Sequence, residues 1–187
     1  IDRVGGMDKK NPRIEIEVEG IWRIMETLKT FDIKELLKRQ AMLDEKFGKK
    51  ETARERTKNR IIVAYLTELG EISQELKNEW SYWKNSTEKF NKKKVLEELS
   101  DLLHFYLSYL NFNNTLVVND YPQDFQFEDS LEETLINLKE IDNEEKYIIF
   151  GLMYNIVEYV GATEEEFLQV HHEKWLKNMN ERTKESY

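Results

Sequence analysis

The sequence has no cysteine, which excludes disulfides, thiolate catalysis and zinc–sulfur sites. Only two prolines and seven glycines occur in 187 residues, too little turn punctuation for a β-rich fold. No apolar run approaches the roughly 20 residues needed to span a bilayer, and no signal-peptide pattern is present. A reducing, cytoplasmic setting is therefore expected, with no membrane partner. Basic charge is also scarce: the net charge is -9, which argues against nucleic-acid binding, because phosphate contacts need a basic surface. A nucleotide stays open as a ligand if metal ions supply the positive charge. There is no Walker A sequence, so no P-loop is expected, and no H-E-x-x-H pattern for zinc.

What remains is long charged-apolar segments with few breakers, which read as an all-α helical bundle. The length suggests one domain with a core large enough to need no staples. The opening "IDRVGG" reads as an expression-tag remnant (residues 1–6), leaving 7–187 as the domain. Residues 14–28 alternate, then shift toward helical spacing, and predict an extended arm followed by a helix. "DIKELLKRQAMLDEKF" predicts a helix capped by Asp32, with Gln40 inside its apolar stripe. One long helix is expected from about Glu51 to Glu79, then a loop, then "KKKVLEELSDLLHFYLSYLNF" as a third strong helix. Residues 113–130 carry turn chemistry and predict an irregular excursion. Helices over "SLEETLINLKEI" and "NEEKYIIFGLMYNIVEYV" follow. Gly161 ends the second of these, and Thr163 with Glu166 starts the last, "EEEFLQVHHEKWLKNMNERT".

Within "YLTELGEISQELKNEW", Glu68, Glu71, Glu75 and Glu79 share one helical face beside Leu69, Ile72 and Leu76. Like charges in such a row repel by a few tenths of a kcal/mol per pair. In the third helix, Glu98 and Asp101 likewise border the arc of Val95, Leu99, Leu102 and Tyr106. With 37 acidic residues in the chain, a single E-x-x-E match arises readily by chance. Two pairs edging apolar faces of neighbouring helices are less readily chance. Packed antiparallel, they would face one another across a groove, where a hard cation such as Mg²⁺ would neutralise them and leave positions for phosphates. His171 and His172 lack metal-ligand spacing and are expected on the surface; Trp22, Trp83 and Trp175 are expected in core or interface.

"ELGE" followed by "EELSD" on consecutive helices resembles the all-α nucleoside triphosphate pyrophosphohydrolases, the superfamily of MazG and the dimeric dUTPases. "LLKRQAMLDEKF", "EWSYWK", "DLLHF" and the C-terminal "FGLMYNIVEYVGATEEEFLQVHHEKWLKNMNERTKESY" resemble motifs of the dimeric dUTPase branch. The likeness covers roughly residues 32–110 and 147–187 and leaves 112–145 unaligned.

The resemblance implies that Glu68, Glu71, Glu98 and Asp101 hold Mg²⁺. It implies that Gln40, Asp44, Trp80 and His104 line a uracil and deoxyribose pocket, and that Lys84, Lys174, Asn178, Arg182 and Tyr187 address phosphates or close over the base. Asp44 stands where many members have Asn, and Asn180 rivals Asn178, whose spacing to Arg182 is four where three is common. The implied activity is hydrolysis of dUTP to dUMP and pyrophosphate by a homodimer, with Glu68 as base and Glu71 as second choice. If the chain is of phage origin, a repressor-type protein partner is also implied. Two rivals stay open. A relaxed MazG-like pyrophosphohydrolase would share the metal site but accept other nucleotides. A non-catalytic acidic binding protein would need no metal.

Overall fold

A computed structural model describes residues 26–50, 53–85, 87–115 and 130–182, Arg182 by its backbone alone. The described residues form helices and turns with no strand, an all-α bundle. In chain order these are α1 (Ile33–Gly48), α2 (Lys58–Glu75), the single turn α3 (Lys77–Trp80), α4 (Lys92–Phe112), α5 (Leu131–Asn137), α6 (Lys146–Tyr159) and α7 (Glu164–Lys177). A π-helical turn, Asn178–Arg182, continues α7.

Helix α4 is the axis. Val95, Leu96, Leu99, Leu102, Leu103, Tyr106, Leu107 and Leu110 are all buried, so this helix is covered on several sides. Truncating one such leucine to alanine typically costs ~2–5 kcal/mol. Helix α2 lies antiparallel to α4, since Glu75 pairs with Lys94 at 3.6 Å while Glu68 sits beside Asp101. Asn111 Nδ2 donates to the Leu37 carbonyl at 2.9 Å and joins α4 to α1. Trp175 Nε1 donates to the Arg39 carbonyl at 3.0 Å and joins α7 to α1. Two buried tyrosines fix the remaining segments: the Tyr65 hydroxyl donates to Leu138 O at 2.7 Å and that of Tyr106 to Lys146 O at 2.9 Å.

The ends follow capping chemistry. The Asp32 carboxylate accepts from Glu35 N–H, but the Glu35 side chain turns away to Arg39, so the start is a cap without the reciprocal half of a box. Thr163 and Glu166 make the full box at α7. Gly161 (φ +68°) and Asn114 (φ +50°) adopt the left-handed conformation that closes α6 and α4, with the next residue's N–H returning to Val157 O and Leu110 O. Lys92 Nζ then bonds Gly161 O at 2.8 Å and Glu166 at 3.0 Å, pinning the start of α4 to the start of α7.

The long helix expected over Glu51–Glu79 is shorter and broken. Residues 53–57 are not helical, and extended Thr57 caps α2 by accepting from Arg60 N–H. The charged stretch ahead of it has no apolar stripe to bury. At the other end Leu76 leaves the helix, and the Trp80 indole N–H takes the Ser73 carbonyl at 2.8 Å. A substitute donor at that carbonyl allows the turn between α2 and α3. Of the arm and helix expected over 14–28, only Glu26–Leu28 are described, and they are not helical; the excursion at 113–130 falls almost wholly outside the described residues.

Candidate active site

The antiparallel packing of α2 on α4 sets the four expected carboxylates in one place. Glu68, Glu98 and Asp101, all half-buried, offer oxygens lying within 4.8 Å of one another. Glu71 stands at the rim, its carboxyl hydrogen-bonded to that of Glu98. The electrostatic result is large at Glu68: burial first, then the charges of Asp101, Glu71 and Glu98, push its carboxyl up to about 7, against the pull of Lys174. Burial, partly offset by Lys174, also raises Glu98. The donor set is all oxygen and anionic, so it fits a hard divalent cation of the Mg²⁺ class.

The positive group in front of this cluster comes from α7. Lys174 Nζ bonds Asp101 Oδ2 and also the Glu97 carbonyl, the latter at 2.9 Å. The row of four glutamates divides accordingly. Glu75 pairs with Lys94, and Glu79 accepts from the Tyr159 hydroxyl at 3.1 Å, so neither belongs to the cluster.

Behind the carboxylates, a polar seam runs along the otherwise apolar α4. Ser100, His104 and Ser108, four residues apart and all buried, each meet a partner from a different segment. Ser100 Oγ and His171 Nδ1 are 3.0 Å apart. His104 Nδ1 and Gln40 Oε1 are 2.8 Å apart. Arg56 reaches Ser108 Oγ at 3.1 Å and also bonds Asp44. Gln40 Nε2 donates to Asp44 Oδ1 at 2.9 Å, which closes a chain His104–Gln40–Asp44–Arg56–Ser108. Burial pushes the Asp44 carboxyl up, while Gln40, Arg56 and Ser108 pull it back. Asp44, Arg56, Phe105 and Ser108 also line a cavity of about 1170 Å³.

Of the expected pocket residues, Gln40, Asp44 and His104 are thus directly linked. Trp80 is not joined to them in the described contacts; its indole is edge-on to exposed Trp83 at 5.6 Å. Lys84 is exposed, and its side chain does not join the carboxylates among the described contacts. Asn178 is half-buried at the end of α7, where its N–H bonds Lys174 O and Trp175 O, and Asn180 is exposed. Lys46 Nζ holds the Met179 carbonyl at 2.6 Å, keeping this turn against α1. Arg182's side chain and Tyr187 lie outside the described residues.

One expectation needs correction. His171 and His172 are not on the surface but only 5% and 6% exposed. His171 stacks on His104 with ring centroids 4.2 Å apart, and burial drives its imidazole down to about 3, keeping it neutral. His172 Nδ1 lies 3.2 Å from Arg39. Trp83, expected in core or interface, is 58% exposed in the single chain, whereas Trp175 is buried as expected. Arg56, Ser100, Ser108 and His171 escaped sequence reasoning. The signal for the α4 residues was there, as polar side chains every fourth residue within the apolar stretch of the longest helix.

The fold and the cluster define a helical protein that gathers carboxylates in a place where they could hold a hard cation. A family model described as dUTPase matches residues 32–187, including the stretch 112–145 that motif reading left unaligned. The chain belongs to this family, the dimeric all-α dUTPases, and is an enzyme of its dUTP-hydrolysing, nucleotide pyrophosphohydrolase kind. No curated protein matches the chain.

Proposed function

We propose that the protein is a dUTP diphosphatase that converts dUTP and water to dUMP and pyrophosphate with Mg²⁺. The observation that carries this reading is the convergence of Glu68, Glu98 and Asp101 within 4.8 Å in a chain of the dUTPase family. Glu68, Glu71, Glu98 and Asp101 would hold the metal, which when bound supplies charge neutralisation at the triphosphate and a more acidic water. Water attacks the α-phosphorus, the bond from it to the bridging oxygen breaks, and pyrophosphate leaves. Glu68 accepts the proton of the attacking water, since it stands half-buried beside Glu98 and Asp101. Glu71, at the rim, is the second choice.

Lys174, with Asn178, Arg182 and Tyr187 further along, serves the phosphates from the C-terminal side, and Lys84 from the loop after α3. Gln40, Asp44, His104 and Trp80 serve the base and sugar. Gln40 has one N–H and one lone pair left after its bonds to Asp44 and His104, a donor–acceptor pair matched to an edge of uracil. Exposed Val63 and Leu66 on α2 are compatible with a homodimer. Among the described residues no helix is long and apolar enough to cross a membrane, which is compatible with a cytoplasmic enzyme. The test is pyrophosphate release from a panel of dNTPs and NTPs, with and without Mg²⁺. Strong preference for dUTP and loss in chelator are expected; equal specificity constants for dUTP and dCTP would favour a relaxed MazG-like pyrophosphohydrolase.

A further inference from the structure

Asp44 and Arg56 form a pair whose consequence reaches beyond their own contact. The two oxygens of Asp44 are used separately: Oδ1 accepts from Gln40 and Oδ2 from Arg56. A carboxylate held by a guanidinium offers no donor, so the Gln40 amide must turn its NH₂ toward Asp44. Its carbonyl is thereby turned toward His104, and because a carbonyl only accepts, the proton between them belongs to His104 Nδ1. Each step follows from the one before, and the sequence begins at Arg56.

We infer that Arg56 is a positioning residue for base selection: by holding Asp44 ionised it locks the Gln40 amide in the orientation that suits uracil and disfavours cytosine. This rests on the proposal that Gln40 addresses the base. The chemistry of discrimination is simple. Uracil presents a donor at N3 beside carbonyl acceptors; cytosine presents an acceptor at N3 beside an amino donor. A free amide meets either base by rotating through half a turn. A locked amide meets only one, because the flipped form would aim its carbonyl at the Asp44 carboxylate.

Arg56 supplies the charge acting on Asp44. Gln40 from α1 and Ser108 from α4 contact it as neutral groups. Glu45, Arg54 and Arg60 line the same cavity without bonding Asp44 in the described contacts. In Arg56→Met the half-buried carboxyl loses its counter-ion and takes up a proton more readily. A protonated Asp44 both donates and accepts, so it tolerates either amide orientation.

The experiment measures kcat/KM for dUTP and dCTP at about pH 6 and about pH 9, with ¹⁵N NMR of His104 as a readout independent of substrate. For the wild type, a pH-independent dUTP preference and a single Nδ1-protonated tautomer are expected. For Arg56→Met, the preference should fall by about tenfold or more at the lower pH and recover at the higher one. His104 should show mixed tautomers at the lower pH. The double variant Asp44→Asn/Arg56→Met needs no counter-ion and should be flat with pH, which keeps the test open if the single variant folds poorly. Arg56→Met with a wild-type preference at both pH values and an unchanged His104 spectrum would overturn the assignment. A wild type that does not prefer dUTP would overturn the base-pocket reading alone. The His104 spectrum would then decide on Arg56, mixed tautomers in the variant supporting it and an unchanged single tautomer overturning it.

Discussion

Glu68 and Glu71 share a sequence spacing rule with Glu75 and Glu79, yet the two halves of the row meet opposite surroundings. The first half faces Glu98 and Asp101 across the α2–α4 contact, and its leading carboxyl is pushed up to about 7. The second half meets a lysine and a tyrosine hydroxyl, Lys94 and Tyr159, and is already partnered. The difference lies in what faces each carboxylate: α4 presents two acids to the first half and Lys94 to Glu75, while Glu79, past the break at Leu76, meets Tyr159 of α6. Carboxylate repeats on one helix thus describe potential, and the facing helix decides which part of it becomes a site.

The largest break of this comparison is catalytic. Glu68→Gln and Asp101→Asn are each expected to lower turnover by about two orders of magnitude or more, whereas Glu75→Gln and Glu79→Gln should stay within about twofold. Steady-state pyrophosphate release measures all four; equal losses along the row would erase the distinction between its halves. A smaller loss, about tenfold, is expected when the chain is cut before Lys177, since the tail proposed to serve the phosphates is removed while α1–α7 stay nearly complete. Circular dichroism should show almost unchanged helix content.

The buried side of the site sharpens the contrast through acid stability. His171 is neutral when folded and held near 3, below its ordinary value near 6.5, so the unfolded chain binds the extra proton between those values. Its contribution is therefore intact above about pH 6.5 and is lost as pH falls toward 3, at up to ~1.4 kcal/mol per pH unit. His171→Gln should flatten this part of the stability curve in urea titrations at several pH values; an unchanged slope would show that other groups carry it.

The smallest effect concerns the cluster without metal. Glu68 is raised above its ordinary value, so its burden on the fold is absent below about pH 4.5 and grows as pH rises through 7. Glu68→Gln should therefore raise the melting temperature in chelator by about 1–3 °C at alkaline pH, with the gain fading in acid. The matching change at Glu75 should instead lose its contact with Lys94 and give no gain.

Much of this was legible in the sequence because it depends on local periodicity. The apolar arcs of α2 and α4 place Glu68, Glu71, Glu98 and Asp101 at their edges, and Thr163 with Glu166 announces α7. The extent of the second helix was misread because a charged run continues its spacing, while Thr57 and the Trp80–Ser73 bond, one a cap and the other a contact seven residues apart, end it. The burial of His171 depends on α7 lying against α4, where Ser100 and His104 receive it. A polar residue at a helix position reads as surface until its partner across the contact is known. Arg56 is harder still: it stands outside any helix, and only the closing of α1 on α4 makes it a neighbour of Asp44 and Ser108.

The Lys174 ammonium on Asp101 changes what loading the cluster means. If the cluster takes up a divalent ion as proposed, that ion would exchange with the lysine's single charge, so the local charge would rise by about one elementary unit instead of two. Metal affinity should then depend less steeply on ionic strength than the number of carboxylates suggests. Such an exchange would also be mechanical, because Lys174 belongs to the helix that carries the C-terminal turn. By reciprocity, whatever draws Lys174 toward a phosphate tightens the hold on the ion by the same factor.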